Sequence, residues 1–453
     1  MNDLALVIHT DPSKAYYRGT RPAGVDLARA GLISIGEIRS ELRIEGRTAN
    51  SHTTAAIDNG RGHLTAELAA APLRSPAAIL RNGVEIWRGL VTRIRVGAVV
   101  QIDLEAGGER PYTDLMPLRT SAAWSTYDTI DTLPHLYGRT VTRPRRYLQD
   151  TNRLHLADHP LPGIDRVERA DTEYGAWRLL NTTDTTGHPV ALLEVDTTVD
   201  DPGEWRVWVR GKQHQETGAL LERPDQILWD LHQVIGRPIE ESALDDLRVY
   251  CESQGLTIAG QVDDAEATIQ TVIDRLCQGS GLAWSPDLPG LAMPWPREPA
   301  ANPVQGITQR QAAKVSAEAD HSHLATVLVV EYDYDWSTQA YRRTATLRAP
   351  EAVERYGEIE ATLQLGWIHA PGLALETATR WLQYRARPRW NLNATVLAAG
   401  HAIGADLFVS HAHSTMSAGV IAKIGKGDLN ENINLMALAG DVPAVEITST
   451  GQA

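Results

Sequence analysis

Ile79-Leu80-Arg81-Asn82-Gly83-Val84-Glu85-Ile86-Trp87-Arg88-Gly89-Leu90-Val91 is the stretch that decides the fold class. Asn82-Gly83 stands between two apolar runs, and a type I′ turn demands positive φ at both central positions, which these two residues adopt at least cost. A tight β-hairpin is predicted. Beyond it Val91 to Val96 alternates apolar and polar, and after Gly97 the stretch Val99 to Ala106 alternates again, so a three-stranded meander ends the first unit. Ahead of it, Leu4-Ala5-Leu6-Val7-Ile8 reads as a first strand, since the start lacks the basic residues and apolar core of a signal peptide. A small barrel or sandwich over residues 1–114 is expected.

Residues 115–219 continue in the same style as a β-rich inserted domain. Pro134, Pro144, Pro160 and Pro162 punctuate it, Thr182 to Gly187 reads as an exposed turn, and Glu204-Trp205-Arg206-Val207-Trp208-Val209-Arg210 is a period-2 strand. Near Pro224 the apolar period lengthens: Ile227, Leu228, Leu231 and Ile235 recur at helical spacing and Gly236 ends the run. A second helix is expected from Ser242, as its cap, to Gln254 and a third from Ala265 to Gln278, with Leu256 to Gly260 a short strand between them. Residues 220–300 therefore read as an inserted α/β unit. In residues 301–453, Ala325 to Trp336 and Tyr341 to Arg348 predict a long hairpin, and Leu373 to Arg387 a helix stopped by Pro388. Strands are expected over 406–410, 418–424 and 432–438, and a second barrel from 320–350 together with 390–448. The fold class is mainly β with an inserted α/β unit, in a multi-domain chain of two small β-barrels or sandwiches plus insertions.

Composition narrows the function. At 453 residues the chain exceeds what one hydrophobic core serves, and 43% hydrophobic with 22% charged residues is globular. The formal net charge of −14 speaks against coating nucleic acid, which needs clustered Lys and Arg, and the short run Arg143-Pro144-Arg145-Arg146 reads as a solvated loop. No stretch approaches the roughly 20 apolar residues that span a bilayer, so no stable membrane anchor is expected and folding in a cytoplasm is. Cys251 and Cys277 are far apart without metal-ligand spacing and read as buried thiols. Trp 12 and Tyr 13 against Phe 1 favours assembly, because Trp and Tyr combine an apolar face with a polar handle suited to interfaces.

The candidates for chemistry each have a plainer reading. His321 and His323, like His411 and His413, stand at i and i+2, where two imidazoles on one strand face can share an ion; such pairs more often decorate a surface strand. Glu331, Asp333 and Asp335 would share one strand face, which suggests paired carboxylates or a calcium site but reads more simply as the wet side of an alternating strand. Asp245-Asp246 and Asp263-Asp264 fall at helix starts or on solvent faces. Ser280, between Gly279 and Gly281, lacks the nucleophile-elbow pattern, and Gly425-Lys426-Gly427 lacks the spacing of a phosphate loop. No catalytic, cofactor-binding or metal residue is assigned, and no enzyme activity is expected.

Several segments together resemble the hub proteins of tailed bacteriophages, the family of the central baseplate ring and its counterparts in long flexible tails. They are Arg81 to Ile94, the helical unit Arg223 to Trp284, and Arg355-Tyr356-Gly357-Glu358-Ile359 leading into Arg380 to Trp390. The resemblance implies two similar barrels joined by insertions, and a homo-oligomeric ring, most simply a trimer whose two barrels per chain meet a hexameric tail tube. A closed ring satisfies every interface without open-ended polymerisation. It also implies a place in the virion, at the tail tip, beside a distal tail ring, a tape measure and a central fibre or tip. The alternative is a carbohydrate-binding or glycan-degrading protein, with exposed Trp205, Trp208, Trp295 and Trp367 stacking on sugars beside Asp333 and Asp335.

Overall fold

Arg81 lies opposite Val84 where strand Pro76–Arg81 pairs antiparallel with strand Val84–Arg95, so two residues join them as the Asn-Gly pattern requires. Asn82 and Gly83 themselves lie outside the described residues. The computed structural model describes residues 3–9, 14–18, 27–35, 38–41, 52–61, 64, 75–81, 84–106, 114–118, 132–147, 152–183, 187–236, 239, 241–264, 266–285, 292–300, 302–397, 401–402, 404–411, 418–426, 430–438 and 441–452. The fold is mainly β with few helices, and the chain divides into two units, each made of three segments.

The first unit comprises residues 1–112, 283–324 and 387–442. Its first sheet has eight strands, in the order Leu27–Ala30, Lys14–Arg18, Leu4–Ile8, Pro76–Arg81, Val84–Arg95, Val99–Ala106, His52–Asp58 and Leu32–Ile35. The expected meander and first strand are both present. The sheet curls until its last strand meets its second, where the Arg18 guanidinium donates to the Ile33 carbonyl at 3.1 Å. Alternate side chains turn inward, so that Leu6, Ile8, Tyr16, Ile57, Ile79, Ile102 and Leu104 fill one core.

The second sheet of this unit runs Gln305–Thr308, Asp406–Ser410, Ala418–Lys426, Asn430–Leu438, Arg389–Leu397 and Ala312–Asp320, with strand Ile38–Glu41 also paired to Ala418–Lys426. Its two end strands are joined by residues 309–311, a link that spans at most about 14 Å, so this sheet must curl as well. Leu392, Ala394, Ile433 and Leu435 point to its core while Asn393 and Asn432 face solvent. Phe408, the one phenylalanine of the chain, covers Gly306, where a Cβ would come within 2.4 Å of its ring.

The second unit comprises residues 113–282, 325–386 and 443–453. Two four-stranded sheets face each other: Arg139–Thr142, Trp205–Arg210, Gly163–Arg169 and Thr172–Glu173 make one, and Arg145–Arg146, Arg153–Ala157, Pro189–Val195 and Trp177–Thr183 the other. The period-2 strand read from sequence buries Trp205, Val207 and Val209 against Leu154, Leu156 and Leu193 of the opposite sheet. One end of this sandwich holds buried His135 and His159 and half-buried His188. His135 Nε2 lies 3.6 Å from Asp158, His188 Nε2 lies 3.2 Å from the same carboxylate, and the Leu136 N–H donates to His159 Nε2 at 3.0 Å. Burial lowers the pKa of His159 to about 4 and that of His135 well below the usual imidazole value.

The helices of this unit differ from expectation at their starts. Glu241–Leu244 is a 3₁₀ turn and the α-helix behind it covers Asp245–Ser253, so Ser242 is not its cap. The third helix covers Ile269–Gly279 and begins at Thr268, whose Oγ1 accepts the Thr271 N–H; Asp264 accepts the Glu266 and Ala267 N–H groups and holds the preceding residues as a turn. Leu256 to Ala259 is no strand, because the N–H groups of Leu256, Ile258 and Ala259 go to Cys251, Glu222 and Trp367, and the strand is Gly260–Val262. The helix Pro371–Arg385 starts on its proline. The predicted long hairpin is present as Val327–Asp335 with Ala340–Arg348. It does not share a sheet with the strands of residues 389–438: Glu360–Leu365 pairs with one of its edges, in parallel, and Glu446–Gln452 with the other.

Candidate functional site

Strand Val327–Asp335 alternates regularly as far as Tyr332, and then the ladder skips Asp333 and Arg342: Tyr332 faces Arg343 and Tyr334 faces Tyr341. Asp333 has φ of +58° and its N–H donates to the Ile368 carbonyl at 3.0 Å instead of to the hairpin partner. The three carboxylates therefore do not form a wet row. The Asp333 carboxylate meets His369 Nδ1 at 2.8 Å and Arg343 at 3.5 Å, while His369 Nε2 lies 3.1 Å from the Ala259 carbonyl. Asp335 is 2% exposed; Arg342 reaches it at 2.7 Å and Arg206 at 3.4 Å, and it accepts the Ser337 N–H at 2.9 Å. Glu331 accepts from Gln364 at 2.9 Å.

These partners decide the electrostatics. The hydrogen bond from His369 holds Asp333 below the ordinary carboxylate range. At Asp335 burial pushes upward, but the Ser337 hydroxyl and the Arg342 guanidinium outweigh it and the net shift is downward. A glycosidic general acid needs a raised pKa, so this pair is built as an anchor and not as an acid–base couple. Replacing Asp335 by alanine is expected to cost about 2 kcal/mol, less than the roughly 3–5 kcal/mol of a fully buried pair, because Arg206 and Arg342 stay 28% and 39% exposed. Urea denaturation reads this as a lower midpoint at unchanged slope; Glu331→Ala, at a half-exposed site, is expected to shift the midpoint far less.

Beyond Tyr334 the end of this sheet opens into a cleft of about 490 Å³, lined by Tyr334, Trp336, Tyr341, Gly366 and Trp367 with Arg275, Gln278, Gln339 and Gln364 around them. The rings brace one another edge to face: centroids lie 4.8 Å apart for Tyr334 and Trp336, 4.9 Å for Tyr334 and Tyr341 and 5.7 Å for Trp336 and Trp367. Trp367 is buried because Gly260 and Gly279 leave room for it, a Cβ on Gly260 coming within 2.5 Å of its ring. Gly366 leaves the floor open, since a Cβ there would come no nearer than 3.4 Å to the Tyr341 hydroxyl and 3.7 Å to Tyr334.

Of the four tryptophans expected from sequence as a platform, Trp367 alone borders this cleft. Trp205, Trp295 and Trp367 are buried at 0%, 3% and 4% exposure, and half-buried Trp208 carries the Arg166 guanidinium 5.0 Å above its ring. Tyr334, Trp336 and Tyr341 were missed, although the hairpin register itself sets Tyr334 opposite Tyr341. His321 and His323 do not come together as a ligand set. His321 is exposed in a turn, while His323 is buried with Nε2 3.0 Å from the Arg387 carbonyl. His411 follows the end of strand Asp406–Ser410, and His413 lies outside the described residues. Among the described residues no group of three or more His, Cys, Asp or Glu could hold a metal ion. Ser280 caps a helix end, its hydroxyl donating to the Leu276 carbonyl at 2.7 Å. Arg145 is no solvated loop residue; it is paired with Asp263 at 2.8 Å. Cys251 and Cys277 are buried free thiols, and burial lifts Cys251 to about 12.

No protein-family model matches the chain, and no curated protein matches its sequence. Solved structures similar to it include a prophage tail protein from Shewanella oneidensis, at 9% identity and a TM-score of 0.43 over 96% of either chain. The virion of a gene transfer agent particle is similar at 12% identity and a TM-score of 0.47, over 75% of this chain and 90% of that one. A prophage tail protein from Listeria monocytogenes is similar at 10% identity and a TM-score of 0.42, over 96% and 94%. The likeness is loose in each case and extends over most of both chains.

Proposed function

We propose that this chain is a structural component of a phage tail, the hub at its distal end, and that it works by forming a ring and not by catalysis. The observation that carries the reading is the build of the first unit. Two sheets that each curl on themselves are built from residues 1–112 and, for the second, chiefly from 305–320 and 389–438, and the two long segments of the second unit, 113–282 and 325–386, are inserted between. That is the arrangement the hub resemblance leads one to expect from Arg81 to Ile94 and the segments around it. Two curled sheets per chain suit a trimer that meets a sixfold tube, and closure of the ring leaves no unsatisfied interface. The neighbours in such a role are the distal tail ring, the tape measure and a central fibre or tip, with the ring assembled in the bacterial cytoplasm and carried in the virion.

Light scattering on the purified chain tests this, together with negative-stain images. A particle of three 49.6 kDa chains with a central opening is the expected result, held by interfaces well above roughly 1,000 Å². A monodisperse monomer at micromolar concentration would overturn the ring.

A further inference from the structure

From the lining of the cleft at the end of the Val327–Arg348 hairpin, we infer a binding site for a neutral oligosaccharide. Its volume of about 490 Å³ falls in the range of small-ligand sites, roughly 300–1,000 Å³. Tyr334, Trp336 and Tyr341 are half-buried, so part of each ring remains available to the C–H face of a pyranose. Their edge-to-face contacts fix the rings before any ligand arrives, which removes the ordering cost that flexible side chains impose on binding.

The polar groups select the ligand class. Gln278, Gln339 and Gln364 each offer a donor and an acceptor, which is what a sugar hydroxyl requires, since it gives and takes hydrogen bonds at once. The cations around them are already paired with carboxylates. Arg275 pairs with Asp264 at 3.2 Å, Glu331 is tied to Gln364, and Asp333 and Asp335 are held by His369, Arg343, Arg342 and Arg206. A phosphate or acidic sugar would find no unmatched cation here, whereas a neutral chain loses nothing by the pairing. The same pairing leaves no carboxylate in the role of general acid, so the sugar is held and not cleaved. The site lies within segments of one unit of a single chain and does not depend on ring formation.

A neutral-glycan array probed with the full-length chain tests the inference. Binding to a restricted set of neutral glycans is expected, with saturable quenching of tryptophan fluorescence when the corresponding trisaccharide is titrated. Tyr334→Ala is expected to weaken that binding at least tenfold and Gln364→Ala several-fold. Gly366→Leu, which fills the floor at a position where the first added carbon meets only ordinary contacts, is expected to abolish it while the melting temperature and circular dichroism stay those of the parent. An array without any neutral-glycan signal, unchanged affinity in Gly366→Leu, or preference for a proline-rich peptide over every glycan would each overturn the assignment.

Discussion

Between pH 6.5 and pH 4.5 the protein is expected to lose about 2 kcal/mol of folding stability through His159 of the sandwich, with a further loss in the same direction through His135. In the unfolded chain each imidazole titrates near 6.5. In the fold, burial holds His159 at about 4 and keeps His135 well below 6.5, so across that window the unfolded chain binds protons that the folded one refuses. Their contribution is therefore present above pH 6.5 and is lost as the pH falls toward the folded values, at up to about 1.4 kcal/mol per pH unit for His159, with His135 acting in the same direction. For His159 the whole loss amounts to about 3 kcal/mol. Asp333, Asp335 and Glu431, whose folded pKa values are depressed, act in another window: their stabilisation is present above about pH 4, the unfolded carboxylate value, and is lost below it. Urea midpoints at pH 7, 6 and 5 measure the slope. His159→Gln, which keeps an acceptor for the Leu136 N–H but cannot titrate, is expected to flatten it by about 1.4 kcal/mol per pH unit. A midpoint indifferent to pH across this range would show that the cluster opens to water.

Replacing Gly138 by alanine is expected to cost about 3–4 kcal/mol, combining a left-handed backbone with overpacking. Gly138 sits at φ +62°, its N–H donates to the Leu221 carbonyl, and its own carbonyl accepts from Gly211 at 2.7 Å. A Cβ would lie 2.4 Å from the Ile258 carbonyl oxygen, which is backbone and cannot swing aside. Gly187 separates the two contributions, because it has φ +82° but nothing within 4 Å of the added carbon. Gly187→Ala is expected to cost only about 1 kcal/mol. Equal losses in the two variants, measured by urea denaturation, would mean that the close approach at Gly138 relaxes at no cost.

Local signals in the sequence were reliable where partners are neighbours along the chain. The Asn-Gly hairpin, the Val99–Ala106 strand, the Trp205–Arg210 strand and the 327–348 hairpin all follow from period-2 alternation and turn chemistry, which act over a few residues. Pairings across long separations left no such trace. Gln305–Thr308 runs parallel to Asp406–Ser410, and Val327–Asp335 parallel to Glu360–Leu365, and nothing local specifies either choice. The candidate site failed on the same ground. Strict alternation put Asp333 and Asp335 on one wet face, but the Ile368 carbonyl takes the Asp333 N–H and Arg206, far away in sequence, covers Asp335. Whether a tryptophan turns inward was equally hidden, since Trp367 is buried through room left by Gly260 and Gly279, neither of which is near it in the chain.

The pairing of Ile38–Glu41 with Ala418–Lys426 has a consequence for how the molecule is made. Ser40 leaves the ribosome about 400 residues before its partner Ile424, which at roughly 5–20 residues per second is a wait of about 20–80 seconds. Throughout that interval the emerging chain displays an N-terminal strand edge with no complement, and neither unit has received its last segment. Premature termination anywhere before residue 438 would thus release a chain whose first unit cannot be completed, and a nascent-chain guardian should be needed most over this stretch of translation.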